Sequence, residues 1–309
     1  MLSVVVPTLD AAAYWPSFSP ALLKCVQPEQ VLILDSESTD GTPDLARGLG
    51  FAVKSVARKE FNHGTTRQLA VELLPESEIL VFLTQDAILT SPDAISKLHD
   101  AFADPKVGAA YGRQLPRLGA GAIETHARDF NYPATSHLRD LVSRETHGFK
   151  TIFISNSFAA YRRTALVEIG GFPARVIFGE DTITAAKLLL ADYTIAYVAN
   201  ATVRHSHRYT WTQEFKRYFD IGVLHSREGW LLREFGQAGG EGKRFVFSEL
   251  HHLWKSDPCQ IPTAIVRTGL KLLGYRLGRL EERIPVDVKR SLSMHAQFWD
   301  QPTKGSSAQ

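Results

Sequence analysis

Short apolar runs alternate with helix-period segments through the first two thirds of the chain. Residues 2–6, 31–35, 52–56 and 79–83 are rich in Val, Leu and Ile and read as strands. Residues 42–49, with Thr39 or Asp40 as N-cap, carry helical spacing, as do 65–74 and a stretch from Ser91 or Asp93 to about Phe102. This alternation predicts βαβ units, an α/β fold and a mostly parallel sheet. Ligands of such a sheet bind in the crevice outside the strand carboxyl ends.

The second half is less regular. Residues 107–111 and 194–203 read as strands, 152–161 as an apolar, strand-like run, and 163–169 and 181–190 as helices. Residues 116–150 are rich in Arg, His and aromatic side chains and are broken by Pro116, Gly119, Gly121 and Pro133. They predict a loop-rich or irregular helical insertion able to cover a site. From Thr212 onward the pattern is helical. In the aromatic helix that starts near Trp211, Phe215, Phe219 and, further on, Trp230 read as core, while Trp211 and Tyr218 are candidates for substrate contact. Residues 264–284 place Val266, Leu270, Leu273, Leu277, Leu280 and Ile284 on one stripe, with Arg267, Lys271, Arg276, Arg279 and Arg283 on the other side. Such a helix can lie on an anionic membrane, pack on the catalytic domain, or self-associate into a homo-oligomer.

Composition narrows the function classes. The 309 residues are 44% hydrophobic and 22% charged, as in an ordinary globular protein. A net charge of only +2 gives no general polyanion trap, so nucleic acid is not an expected partner. Cys25 and Cys259 form no metal or redox motif, and a reducing cytoplasm is the simplest compartment. No signal peptide and no apolar stretch of membrane-spanning length is visible.

The candidate chemistry gathers at strand ends. Asp86 follows the buried run 79–83, where a carboxylate has no core role but can cap the next helix or hold a divalent cation and, through it, a diphosphate. Asp35 and Ser36 end the second strand, and Pro7, Thr8 and Asp10 end the first, so three strand ends converge on one crevice. Arg67, just inside the helix read over 65–74, can favour a phosphate or a pyrimidine carbonyl together with the helix N-terminus. Glu180 and Asp181 open an apolar helix, where acids also complement the helix dipole. His205 and His207, two apart on an extended segment, point the same way, but without cysteines or further spaced histidines they do not make a structural zinc site.

These segments together resemble family 2 glycosyltransferases of the GT-A fold. Val4-Val5-Val6-Pro7-Thr8, Leu34-Asp35-Ser36-Glu37-Ser38-Thr39-Asp40-Gly41-Thr42 and Thr84-Gln85-Asp86-Ala87 carry the resemblance, over roughly residues 1–230. Phe61-Asn62-His63-Gly64-Thr65-Thr66-Arg67 is similar to the F-x-H-G-x-T-R stretch of bacterial rhamnosyltransferases, which use dTDP-L-rhamnose. The resemblance implies a GT-A domain over 1–230 and a helical extension over 231–309. It implies an inverting transfer of L-rhamnose to a lipid-linked or other glycan acceptor of a bacterial surface polysaccharide, in the cytoplasm or on the inner face of its membrane. It assigns Asp181 as catalytic base with Glu180 beside it, Asp86 and His205 (His207 second) as ligands of Mg²⁺ or Mn²⁺, and Pro7, Thr8, Asp10, Asp35, Ser36, Arg67, Gln85 and Arg204 (or Arg208) to the donor. One departure is plain: the family's Asp-x-Asp metal motif is reduced here to Thr84-Gln85-Asp86.

Three other readings stand beside this one. A nucleotidyltransferase needs a Gly-rich amino-terminal loop, which Val4–Asp10 lacks. A non-catalytic sugar-nucleotide or glycan-binding scaffold would suit the reduced metal motif but not the intact acidic pair. A glycosyltransferase that uses a UDP-sugar would share the fold and mechanism.

Overall fold

A computed structural model describes residues 1–236 and 239–300 of the chain. Its nine strands are β1 (Leu2–Thr8), β2 (Val31–Asp35), β3 (Ala52–Ser55), β4 (Ile79–Leu83), β5 (Ile88–Leu89), β6 (Val107–Leu115), β7 (His137–Arg139), β8 (Phe158–Arg162) and β9 (Thr194–Arg204). They form one sheet in the order β3-β2-β1-β4-β8-β6-β9-β5, with β7 also paired to β9. The architecture is a mixed α/β sheet flanked by helices, with a helical carboxyl-terminal region.

The first four strands are parallel, as the alternation of strands and helices predicts. The other half departs from a mostly parallel sheet. β8 runs antiparallel between β4 and β6, β5 and β7 run antiparallel to β9, and only β6 and β9 are parallel. Residues 84–87 between β4 and β5 are too few for the crossover that a parallel partner requires. The chain instead turns at Asp86 and pairs β5 with the end of β9, next to His205.

Side-chain alternation along each strand feeds a core on both sheet faces. Val5, Leu34, Phe82, Tyr111 and Tyr161 bury on one face, and Val4, Val6, Ile33, Val81 and Phe158 on the other. The first core continues through Phe219, Leu224, Leu231 and Phe235, so the helices after residue 210 pack on the sheet. Phe219 is core as expected, Trp230 is partly buried against it, and Trp211 is exposed.

Two segments differ from expectation. The strand read over 152–161 begins only at Phe158, because Ser155-Asn156-Ser157 interrupts the apolar run with polar groups that bond to the site. Residues 116–150 form the expected irregular helical insertion, with helices Ala122–Asn131 and Arg144–His147, but between them the short β7 joins the sheet.

The helix Ile261–Arg279 packs through glycines as well as Leu277. A Cβ at Gly278 would lie 2.0 Å from the Phe219 carbonyl oxygen, and one at Gly274 2.4 Å from that of Phe215, so it crosses Trp211–Arg227 in backbone contact. Two residues of its expected basic face turn inward. Arg267 Nη1 lies 3.1 Å from Glu214 Oε2, and Lys271 Nζ 3.5 Å from Glu214 Oε1. Its apolar residues Ile265, Val266, Leu272 and Leu273 remain exposed. Among the described residues no helix is long and apolar enough to cross a membrane.

Candidate active site

The ends of β1, β2 and β4 are laced together by polar side chains. Thr8 Oγ1 and Ser38 Oγ both donate to Asp35 Oδ1, at 2.9 and 2.6 Å, and the Ser38 amide donates to Oδ2 at 2.9 Å. Asp35 and Ser36 are buried, and the Ser36 hydroxyl has no partner. Pro7 sits within β1, in register with Leu34 beside them. A cavity of about 430 Å³ opens here between Asp35, Ser38, Thr39, Val53 and Ser55. Asp10, expected on the nucleotide, instead braces the rim. It adopts φ +47° while its carboxylate accepts from the Thr39 amide at 2.9 Å and pairs with Arg58 at 3.2 Å. Gln85, also expected on the donor, spends its side-chain amide on both backbone groups of Leu9, at 2.8 and 3.0 Å, tying the end of β4 to that of β1.

Asp86, His205 and His207 come together, with one ligating atom from each lying within 4.8 Å of the others. His205 Nε2 is 3.4 Å from Asp86 Oδ1, and His207 Nε2 is 3.7 Å from Oδ2. Burial alone would raise the Asp86 carboxyl, but the two imidazoles hold it well below the usual carboxylate range. Burial and the neighbouring His205 bring His207 down to about 4, so it is a neutral ring at pH 7. His205 Nδ1 pairs with Gln114 Oε1 at 3.0 Å, which orients the ring with Nε2 facing Asp86. Gln114 is itself fixed, accepting from Arg128 and donating to Ser155 Oγ at 2.9 Å. One carboxylate and two oriented imidazoles are a donor set that fits a divalent cation.

The acidic pair is next in this chain of contacts. Asn156, the residue after Ser155, donates from Nδ2 to Glu180 Oε1 at 2.8 Å, and its own Oδ1 accepts from Tyr161. Its backbone amide reaches Asp181 Oδ2 at 3.3 Å. Burial would raise Glu180, but Arg67, His63 and Asn156 outweigh it and hold the carboxylate below its ordinary value. Asp181 is opposite in kind. Burial and the adjacent Glu180 charge push it up to about 7. Two neighbouring carboxyls thus have different protonation behaviour, and the one poised near neutrality suits a general base.

Two expected donor contacts lie elsewhere. Arg67 is buried with Nη1 3.0 Å from Glu180 Oε1 and 3.0 Å from the His63 carbonyl oxygen, so its charge serves the acidic pair. The N-terminus of its helix is closed as well: Asn62 Oδ1 accepts from the Gly64 and Thr65 amides, and Gly64 packs on the Pro173 backbone. Arg204 Nη1 donates to the Pro116 carbonyl at 2.9 Å and braces the insertion.

A second cavity, about 690 Å³, lies between the insertion and the carboxyl-terminal helices. It reaches both His207 and Thr182, the residue after Asp181, and its walls carry Phe130, Tyr209, Tyr218 and Phe245. His207 of the metal-type cluster and the residue next to the acidic pair therefore line one space.

The sequence pattern described as "Glycosyltransferase like family 2" matches residues 2–219. This chain belongs to that family. Among curated relatives, the O-antigen chain rhamnosyltransferase RfbN of Salmonella typhimurium is 44% identical over 301 residues, covering 97% of this chain and 96% of the relative. The O-antigen chain rhamnosyltransferase WbaN of Salmonella anatum is 44% identical over 300 residues, covering 96% and 95%. Among solved structures, the mannosyltransferase PcManGT of Pyrobaculum calidifontis, in complex with GDP-Man and Mn²⁺, matches with TM-score 0.56 at 19% identity, covering 97% of this chain and 84% of that one. S. aureus TarS residues 1–349 match with TM-score 0.53 at 15% identity, covering 91% of each chain. At these identities the two structures speak to the fold alone.

For this family 2 glycosyltransferase, the sequence reading missed Asn156 and Gln114, which orient the acidic pair and His205. The signal for Asn156 was present: three polar residues, Ser155-Asn156-Ser157, inside an apolar run. Gln114, near the end of β6, gave none.

Proposed function

We propose that this glycosyltransferase transfers L-rhamnose from dTDP-L-rhamnose, with inversion, to a glycan acceptor of a bacterial O-antigen-type polysaccharide. The carrying observation is the 44% identity to two proteins named O-antigen chain rhamnosyltransferases across nearly the whole chain. The site chemistry supports it. Asp35, with one oxygen accepting a single hydrogen bond, offers a further acceptor position to the imide N–H of a pyrimidine in a cavity it lines with Ser38, Thr39, Val53 and Ser55. Thr8 steadies its other oxygen from β1, and Pro7 and Ser36 flank this pair without lining the cavity. Asp86, His205 and His207 would hold a divalent cation, which neutralises diphosphate charge when bound. Two imidazoles favour Mn²⁺ over Mg²⁺, which prefers oxygen ligands. Asp181 takes the acceptor hydroxyl proton, and Arg67 and Asn156 hold Glu180 ionised beside it.

The acceptor enters through the larger cavity, whose wall includes Arg267 and Lys271 of the carboxyl-terminal helices. The extension over 231–309 would thereby complete a catalytic domain over 1–230; residues 301–309 lie outside the described part. A lipid-linked acceptor agrees with the exposed Phe247, Trp254, Ile265, Leu272 and Leu273, which would rest on the cytoplasmic membrane surface.

Calorimetry with dTDP-L-rhamnose, UDP-sugars and GDP-sugars, each with and without Mn²⁺, tests the donor. Metal-dependent binding of dTDP-L-rhamnose alone is expected. Preferential binding of a UDP-sugar would discard the rhamnose assignment, and binding of none would favour a scaffold.

A further inference from the structure

The larger cavity holds many cations, but most are spoken for. Arg117 pairs with Glu124, Lys150 with Glu241, and Arg267 and Lys271 with Glu214. Arg128 donates to Gln114. Arg208 and Arg217 differ: among the described residues neither pairs with a carboxylate. Of the two, Arg217 lies against aromatic rings, its guanidinium carbon 5.8 Å from the Phe178 ring centroid and 5.6 Å from that of Tyr209.

Those two rings belong to the two chemical halves of the site. Tyr209 packs against the His207 ring at 5.3 Å, and His207 faces Asp86. Phe178 stands two residues before Glu180 and three before Asp181, and is stacked on its own account with His295. Arg217 therefore bridges the segment that carries the metal-type ligands and the segment that carries the base, and it lines the cavity with His207 and Thr182. A solvent-facing cation that rests against two rings and pairs with no carboxylate among the described residues, at the junction of a metal-type cluster and a base, is complementary to a diphosphate.

We propose that Arg217 is the catalytic cation that receives the leaving nucleoside diphosphate. This rests on the glycosyltransferase reading above. In the step, the acceptor oxygen forms a bond to the anomeric carbon while its proton passes to Asp181. The bond from that carbon to the diphosphate oxygen breaks, and its electron pair stays on the diphosphate. The new negative charge develops on the side where Arg217 waits, so its hydrogen bonds strengthen as the bond breaks. Arg67 and Arg204 are committed elsewhere, and Arg208, which also lines the cavity, has among the described residues no ring contact of the kind that links Arg217 to both halves of the site.

The test is binding of dTDP and dTMP, each with Mn²⁺, to the full-length wild type, Arg217→Gln and Arg217→Lys. Arg217→Gln is expected to weaken dTDP about 10- to 100-fold, the scale of charge-assisted hydrogen bonds, and to change dTMP far less. Arg217→Lys is expected to recover part of the loss. In turnover, Arg217→Gln should lower kcat with little change in acceptor KM. Unaltered dTDP affinity in Arg217→Gln overturns the proposal, even if acceptor KM rises, since the cation would then serve a diphosphate on the acceptor. Failure of the wild type to bind any nucleoside diphosphate would instead sink the glycosyltransferase reading on which it rests.

Discussion

Arg67 and Glu180 form a buried ion pair, Nη1 to Oε1 at 3.0 Å, directly beneath Asp181. Both side chains are about 95% removed from solvent, with exposures of 4% and 6%. Removing one partner would leave the other charge buried and unpaired. Arg67→Gln is therefore expected to cost about 3–5 kcal/mol of stability. Thermal or urea unfolding checks this, and a loss under about 1 kcal/mol would mean that Glu180 finds another partner.

The same pair sets the pH dependence of catalysis. Glu180 remains charged, and its charge together with burial pushes Asp181 up to about 7. Asp181 acts as base only when ionised, so kcat is expected to rise with pH through about 7 and then level off. A profile already flat from pH 5 upward would indicate that Asp181 is ionised throughout and lacks this tuning.

Asp220 makes a second pH prediction, on stability. Burial pushes its carboxyl up to about 7, while its Oδ2 accepts from the Met294 amide at 2.9 Å. From pH 4 to 7 the unfolded chain releases this proton and the folded chain keeps it, so this group's contribution falls as pH rises. The slope is at most about 1.4 kcal/mol per pH unit. Asp220→Asn cannot ionise, so unfolding free energies of the two proteins should converge at low pH relative to their difference at pH 7, with the variant gaining as pH rises. A difference that does not vary with pH would contradict the raised value.

Gln114 makes no contact with Asp86 in the hydrogen-bond network, yet it fixes the imidazole that does, through His205 Nδ1 at 3.0 Å. Gln114→Ala is expected to lower Mn²⁺ affinity about 10- to 100-fold, the usual effect of losing an orienting partner. Metal titration by calorimetry, with donor present, measures it. Gln114→Glu, which keeps the acceptor, should retain more affinity than Gln114→Ala.

How much of this was legible in the sequence follows from which interactions are local. The strands ending at Thr8, Asp35 and Leu83 announced themselves, because a buried strand is an apolar run and its polar ending marks the crevice. Asp86 and His205 stood out as polar groups at such endings, and the Glu180–Asp181 pair as two acids at the start of an apolar helix. What each arginine touches was not legible. Arg67 and Glu180 are 113 positions apart, and only the fold brings them into contact. The mixed half of the sheet was hidden for a similar reason, since pairing direction depends on where the chain returns. The amphipathic stripe at 264–284 was visible, but glycine-mediated backbone contact decided which face packs.

Asp181→Asn, compared with the wild type in donor binding and in rhamnosyl transfer, probes the account most directly. The substitution keeps the shape of the side chain and removes only its capacity to take a proton. Unchanged Mn²⁺-dependent binding of dTDP-L-rhamnose is predicted, with transfer reduced by about 10²-fold or more. Transfer at the wild-type rate would contradict it and remove Asp181 as the base.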